Sequence, residues 1–199
     1  MTNASDIFPM NWRFFPSLDP QVDIMVSRDL DSLISDREAA AVNEWLESDK
    51  QIHVMRDHPH HGTVMLGGKI GQTLLIRNMY SNVGMWGSKL MDKSQRDKWK
   101  ESWSRIQESK SADRQGYDAD QQILRQFIWP WAQHDALQHD SYLCHMFPNT
   151  IGFPTQRNNT NNNFVGAVVN LDVDGIHNLW KECPRDCRRK GHEDDWLYC

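Results

Sequence analysis

Along the chain, Val22, Ile24, Met25 and Val26 form a short apolar run biased toward β-branched residues, which predicts a strand over 22–27 buried on both faces. The run stops at Arg28-Asp29-Leu30-Asp31-Ser32. Ser35 followed by Glu38 has the form of a capping box, in which the two side chains satisfy orphan amides at a helix start. A helix over 36–47 follows, with Ala39, Val42, Trp45 and Leu46 expected on its buried face. Ile52, Val54 and Met55 mark a second strand over 51–56. A strand, a crossover helix and a second strand form a βαβ unit, which predicts parallel strands and an α/β architecture.

Beyond it, Asp57 to His61 reads as a polar loop around Pro59. Trp99, Trp103 and Ile106 at helical spacing predict an amphipathic surface helix over 94–109. A further helix over 118–128 should end before Pro130. Short strands are expected over 141–146 and 164–169, and the polar run Asn158–Asn163 between them as a flexible loop. No internal repeat is visible.

With 199 residues, 39% of them apolar, the chain is long enough for one domain with a real core. A net charge of -5 removes the general electrostatic pull toward nucleic acid. No apolar stretch approaches the ~18 residues of a transmembrane helix, and the first ten residues lack the pattern of a signal peptide. Nine tryptophans predict a well-ordered core in which buried indole N–H groups find partners. Their faces also suit the apolar faces of sugar rings.

The residues best placed for chemistry are Asp29 and Asp31, in a turn directly after a buried strand. Ligands of open α/β sheets bind at the carboxyl ends of strands. Two carboxylates there can hold Mn²⁺ or Mg²⁺, which would bridge the phosphates of a nucleotide-sugar and neutralise the leaving diphosphate. Arg28 adds a candidate phosphate contact. Solvated carboxylates in a simple turn are the plainer reading. Gly67, Gly68 and Gly87 would let backbone approach a ligand, with Trp86 stacking on a sugar, or would form a turn beside a core tryptophan. His58, His60 and His61 could touch substrate, sit solvated, or bind zinc in a metal-dependent hydrolase, although their spacing fits no standard zinc site.

Cys144, Cys183, Cys187 and Cys199 allow three disulfide pairings, and the sequence does not choose among them. Stapling of the tail over 183–199 by disulfides is expected, with a zinc site built from His192 and the tail cysteines as the competitor. Asn3-Ala4-Ser5 and Asn158-Asn159-Thr160 are glycosylation sequons, in keeping with a lumenal or extracellular site.

The segment Arg28-Asp29-Leu30-Asp31-Ser32, with Glu38-Ala39-Ala40-Ala41-Val42 and Trp45-Leu46, resembles the Asp-x-Asp segment of GT-A-type glycosyltransferases. More closely, it resembles a glycosyltransferase-like family with an arginine-aspartate-x-aspartate-serine signature. The likeness continues through His53 to Pro59, Gly67-Gly68 with Met85-Trp86-Gly87, Asp120-Gln121, His139-Asp140-Ser141-Tyr142, Phe153-Pro154-Thr155 and Phe164-Val165-Gly166. It implies a partial GT-A fold, a parallel or mixed sheet flanked by helices. It also implies a nucleotide-sugar donor, a glycan or similar acceptor, and a cation held by Asp29 and Asp31. By the same analogy His139 completes the metal shell, unless it is a helix cap or a surface residue. Asp120, beside Gln121 near the donor or acceptor pocket, would be the base that deprotonates an acceptor hydroxyl. The equal alternative is an acidic residue favoured by the start of a helix.

Two departures from that pattern shape the expectation. Only 21 residues precede Val22, fewer than the ~30 of one βαβ unit, so the units that hold the donor's base and ribose are expected to be missing. Residues 69–84 split a Gly-Gly-Met-Trp-Gly run and read as an aberrant insert, such as retained intron. The expectation is a single glycosyltransferase-like domain, inactive if the truncation removes the donor pocket. Secretory or extracellular residence would require a targeting signal on a missing amino terminus. The rival of another class is a non-catalytic glycan-binding module in which Asp-x-Asp is vestigial.

Overall fold

A computed structural model describes residues 7–30, 32–67, 85–113, 116, 118–157, 164–167 and 182–199. Five strands form one mixed sheet: β1 (Ile24–Ser27), β2 (Ile52–Arg56), β3 (Trp86–Lys89), β4 (Ala136–Asp140) and β5 (Thr150–Ile151), in the order β1-β3-β2-β4-β5. β3 lies antiparallel between β1 and β2, while β2, β4 and β5 run parallel. β1 and β2 therefore point the same way, as the βαβ reading predicts, but they are not neighbours. The four co-directed strands bring their carboxyl ends to one edge of the sheet.

Alternation along the strands separates two layers. Ile52, Val54 and Trp86 face a large core built with the 3₁₀ run Pro9–Leu18 and the helix α2 (Lys93–Glu108). Trp86 is fully buried there, stacked between Phe14 and Trp99 at ring-centroid distances of 6.0 and 5.6 Å. Asp92 and Gln95 form the capping box that starts α2, and Trp99, Ser102, Trp103 and Ile106 are its buried stripe. Two indole donors find partners as expected, Trp99 donating to Ser88 Oγ and Trp131 to Ser102 Oγ, but the buried Trp86 Nε1–H has none among the described residues.

On the other face lies the helix α1 (Asp36–Glu47), with the bounds the pattern predicts. Its buried side is only half the predicted one: Trp45 is buried and Val42 partly so, but Ala39 and Leu46 are exposed, and the helix buries Arg37, Glu38 and Ala41 in their place. Ser35 caps its first turn by accepting from Glu38 N–H, but the Glu38 carboxylate turns to Arg28 rather than completing the box. Trp45 lies over Gly87, where an added Cβ would sit 2.9 Å from the indole. That close approach, not a ligand, is what requires glycine at 87.

The helical run after residue 118 does not stop before Pro130. α3 (Ala119–Ile123) widens into a π turn over Leu124–Ile128 and continues as α4 (Trp129–Ala132). The wider turn accommodates a residue that has no N–H and would crowd the preceding turn.

The strand expected over 141–146 lies one step earlier, as β4, and 141–146 are bends and turns. Residues 164–167 form a turn rather than a strand, closed by Ala167 N–H to Phe164 O. Asp31, Gly68, the segment 69–84, Asn158–Asn163 and both sequon asparagines lie outside the described residues.

Cys144 pairs with Cys187 and Cys183 with Cys199. All four cysteines are used, which removes the zinc reading of the tail. The first bridge ties the loop after β4 to the tail, and the second closes the tail on itself. Among the described residues no helix is long and apolar enough to cross a membrane.

Trp86 thus belongs to the core, not to a sugar-stacking surface. Trp86→Ala should cost about 3–5 kcal/mol in urea unfolding, the range for emptying a buried aromatic site. A surface tryptophan would cost about 0.5 kcal/mol or less.

Candidate active site

The loops that follow β1, β2, β4 and β5 crowd the common carboxyl edge, and a single carboxylate knits them together. Asp57, immediately after β2, is completely buried. Its Oδ1 and Oδ2 accept from Arg37 Nη2 and Nε, each at 2.9 Å. Arg157 Nη2 donates to Oδ1 at 2.6 Å and Val165 N–H to Oδ2 at 2.8 Å. Ser141 Oγ completes the shell on Oδ1. Arg37 also donates to Thr155 O, and Arg157 to Tyr142 OH. Burial alone would push the Asp57 carboxyl up, but the charges of Arg157 and Arg37, with the hydrogen bonds, outweigh it and hold the group well below the usual carboxylate range.

A second buried pair lies beside the first. Arg56 Nη1 stands 3.6 Å from Asp140 Oδ2, both side chains fully buried. Asp140 Oδ1 caps the turn after β4 by accepting from Tyr142 and Leu143 N–H. Arg56 reaches Thr63 O and Gln138 Oε1.

Several residues expected to touch ligand are instead committed to holding these loops. Arg28 grips Glu38 with Nε and Nη2 and donates from Nη1 to Ser32 O, so it ties Ser32 and the start of α1 to the end of β1 and has no fork left for phosphate. His139 is buried on β4. Its Nδ1 meets His53 Nε2 at 2.9 Å and its Nε2 meets Glu44 Oε2 at 3.1 Å, so both ring nitrogens are occupied within the protein. It is neither a helix cap nor a surface residue, and in this arrangement it has no nitrogen to offer a metal. Hydrogen bonds from His139 and Arg189 lower Glu44 to about 2 despite partial burial. Arg189 belongs to the disulfide-stapled tail, so this chain of groups also fastens the tail to α1.

The loop 57–61 is largely buried rather than a solvated histidine loop. His58 and His61 pack against Phe164, with ring centroids 4.6 and 5.6 Å away. His58 Nδ1 accepts from His60 N–H and His61 Nδ1 from Asp57 N–H. Burial, followed by the charge of His58, pushes His61 down to about 3. Among the described residues no three His, Cys, Asp or Glu side chains are grouped to hold a metal, at the histidine loop or around Asp29 and Asp120.

Two further acids singled out from the sequence are Asp29 and Asp120. Asp29 stands just past the end of β1, half-buried. Asp120, in the first turn of α3, is buried, and its Oδ2 lies 3.1 Å from Arg13 Nη1. Oδ1 accepts from Gln121 N–H. Burial raises the Asp120 carboxyl, Arg13 opposes the rise and the charge of Asp29 adds to it, so the two acids share one electrostatic neighbourhood. Gln121 bridges the loop after β2: its Nε2 donates to Thr63 Oγ1 and Met65 O, and its Oε1 accepts from Gly67 N–H. Gly67 is needed because an added Cβ would lie 3.0 Å from Asp120 Oδ2. Arg13 was not singled out from the sequence; an arginine in a 3₁₀ run carries no motif, and only tertiary placement reveals its role.

Compared with protein-family models, curated proteins and solved structures, the chain finds no significant match.

Removing the Asp57 charge would leave two buried guanidinium groups uncompensated. Asp57→Asn should destabilise the fold by about 3–5 kcal/mol, read from chemical denaturation. Because the folded state holds this carboxyl below its unfolded value, its contribution is fully present above about pH 4 and is lost on further acidification. The pH–stability curve of Asp57→Asn should therefore be flatter than that of the wild type in the acid limb.

Proposed function

We propose that the chain is a glycosyltransferase-like α/β domain, in which a divalent cation gathered at Asp29 and Asp31 binds the diphosphate of a nucleotide-sugar for transfer to a glycan or similar acceptor. The observation that carries this reading is the placement of Asp29. It lies past the carboxyl end of β1, next to Arg28, which is tied to Ser32 and Glu38, and its charge reaches a second acid, Asp120. Such an edge is where α/β sheets receive ligands, and Mn²⁺ or Mg²⁺ there would neutralise the leaving diphosphate. The anchoring of the turn supports the reading because a preorganised carboxylate loses less entropy on gathering an ion.

Asp120 is assigned the proton from the acceptor hydroxyl. A carboxyl raised by burial is a stronger base than a solvated one. Arg13, 23% exposed, lies on Asp120 Oδ2 and would have to give way for a substrate to reach it. His139, Arg28 and Trp86 have no place in the ligand shell on this reading, and His58 supports its loop. The two disulfides fit residence in an oxidising compartment.

Calorimetric titration of nucleoside diphosphates tests the proposal. Binding should require Mn²⁺ or Mg²⁺ and weaken at least about tenfold, a cost of about 1.4 kcal/mol, in Asp29→Asn and in Asp31→Asn. Absent binding, or binding indifferent to both the cation and these substitutions, would refute it.

A further inference from the structure

The half-buried carboxylate of Glu44 on α1 is shared by an arginine of the tail and a histidine of the sheet. Arg189 grips it with both Nη groups, at 2.8 Å to Oε1 and 3.0 Å to Oε2. His139 Nε2 reaches the same Oε2 at 3.1 Å, and His139 Nδ1 faces His53 Nε2 at 2.9 Å. Ionised Glu44 only accepts, so neutral His139 carries its hydrogen on Nε2 and takes the Nε2–H of His53 on Nδ1. One hydrogen fits between the two rings, so the pair can hold at most one proton beyond its neutral form.

The surroundings oppose even that one. Burial comes first, then Arg189 and Arg37 facing His139, and Lys89 facing His53; the charge of Glu44 works the other way. The members differ in their access to water. His53 and His139 are 1% and 0% exposed, whereas the side chains of Arg189 and Glu44 are 30% and 28% exposed. A proton on the rings is therefore relieved by the departure of Arg189 into water, which removes an opposing cation and leaves Glu44 to the imidazolium. Such coupling is reciprocal: a cation that weakens proton binding is itself held more weakly once the proton is bound.

We propose that Glu44 is an acid-released latch: a proton on the His53–His139 pair claims its carboxylate, and Arg189 leaves with the turn of the tail that carries it. The device is independent of the transfer reading. The Cys144–Cys187 and Cys183–Cys199 bridges stay closed, so the movement is confined to the tail between Cys187 and Cys199. The seat it leaves is narrow, since Arg189 lies over Gly152 with no room for a Cβ and donates to Gly152 O at 3.1 Å. On release His139 returns toward the ordinary histidine value of about 6.5, and in the latched state it lies below that. The latch is thus fully held above about pH 6.5 and weakens as pH falls, with the released-to-latched ratio rising about tenfold per pH unit for one linked proton.

The test is nuclear magnetic resonance on the full, disulfide-intact chain from about pH 7.5 to about pH 5, above the range in which the Asp57 contribution is lost. The Arg189 guanidinium signals report the latch, and the Met55 amide, which donates to Met85 O, reports the whole fold. At the upper pH the two Nη groups of Arg189 should give separate, protected signals. Toward the lower pH they should merge and lose protection about tenfold or more relative to Met55. His139→Gln, which keeps an N–H donor and cannot charge, should remove this pH dependence. Glu44→Gln, at a half-exposed position, should release Arg189 at every pH, and it keeps the test decisive if His139→Gln does not fold. The latch is overturned if Arg189 stays locked at the lower pH, if Arg189 and Met55 lose protection together, if folded His139→Gln keeps the wild-type response, or if Glu44→Gln leaves Arg189 locked.

Discussion

One buried carboxylate sets the arrangement of this protein's working edge. Asp57 receives two arginines, a serine hydroxyl and a backbone amide from four separate parts of the chain. Burying two guanidinium groups beside one acid is costly, and it is tolerated because nearly every donor is directed to an acceptor. The consequence is geometric. The start of α1, the turns after β2 and β4, and the residues at 157 and 165 cannot shift independently without breaking the shell. Loops that would otherwise be free at the end of a small sheet are held in one arrangement.

Much of the secondary structure was legible, and the reasons for the exceptions are consistent. β1, α1, β2 and α2 carry apolar periodicity and capping residues, so pattern alone places them, although β1 is an edge strand that leaves Ile24 and Val26 exposed rather than one buried on both faces. β4 escaped because its buried residues are Gln138, His139 and Asp140, which hydrophobic periodicity scores as surface. α1 shows the same blindness from the other side: its core-facing turn is Arg37 and Glu38, while Ala39 and Leu46 look outward. Charged residues go inside only when distant partners exist, and a sequence read locally does not display partners. Pro130 misled for a different reason, since a π turn supplied a continuation that propensity does not anticipate.

For the site, the same blindness reversed several roles. Arg28, His58, Trp86 and His139 are residue types that bind ligands elsewhere, yet here each is spent on the protein itself. Their common feature is position at the carboxyl edge, where motif-like residues build the frame as well as the chemistry. Asp29 and Asp120, the acids of the proposed function, also have partners within the protein, Asp120 through Arg13 and Gln121 N–H. Arg13 and the latch at Glu44 are additions that only the folded chain brings into view. The disulfide pairing, open among three choices in the sequence, is set by the tail folding back over the ends of β4 and β5. Arg189 then joins Glu44, His139 and His53 into the fastening that keeps it there.

The proposed cation site is the turn after β1. Paramagnetic broadening of amide signals by substoichiometric Mn²⁺ reads the location directly. The signals of Asp29 and its flanking residues, with Gly67 and Gln121, should broaden first while those of His58 to His61 stay sharp. Broadening centred on the histidine loop, or spread evenly over the acidic surface, would contradict it.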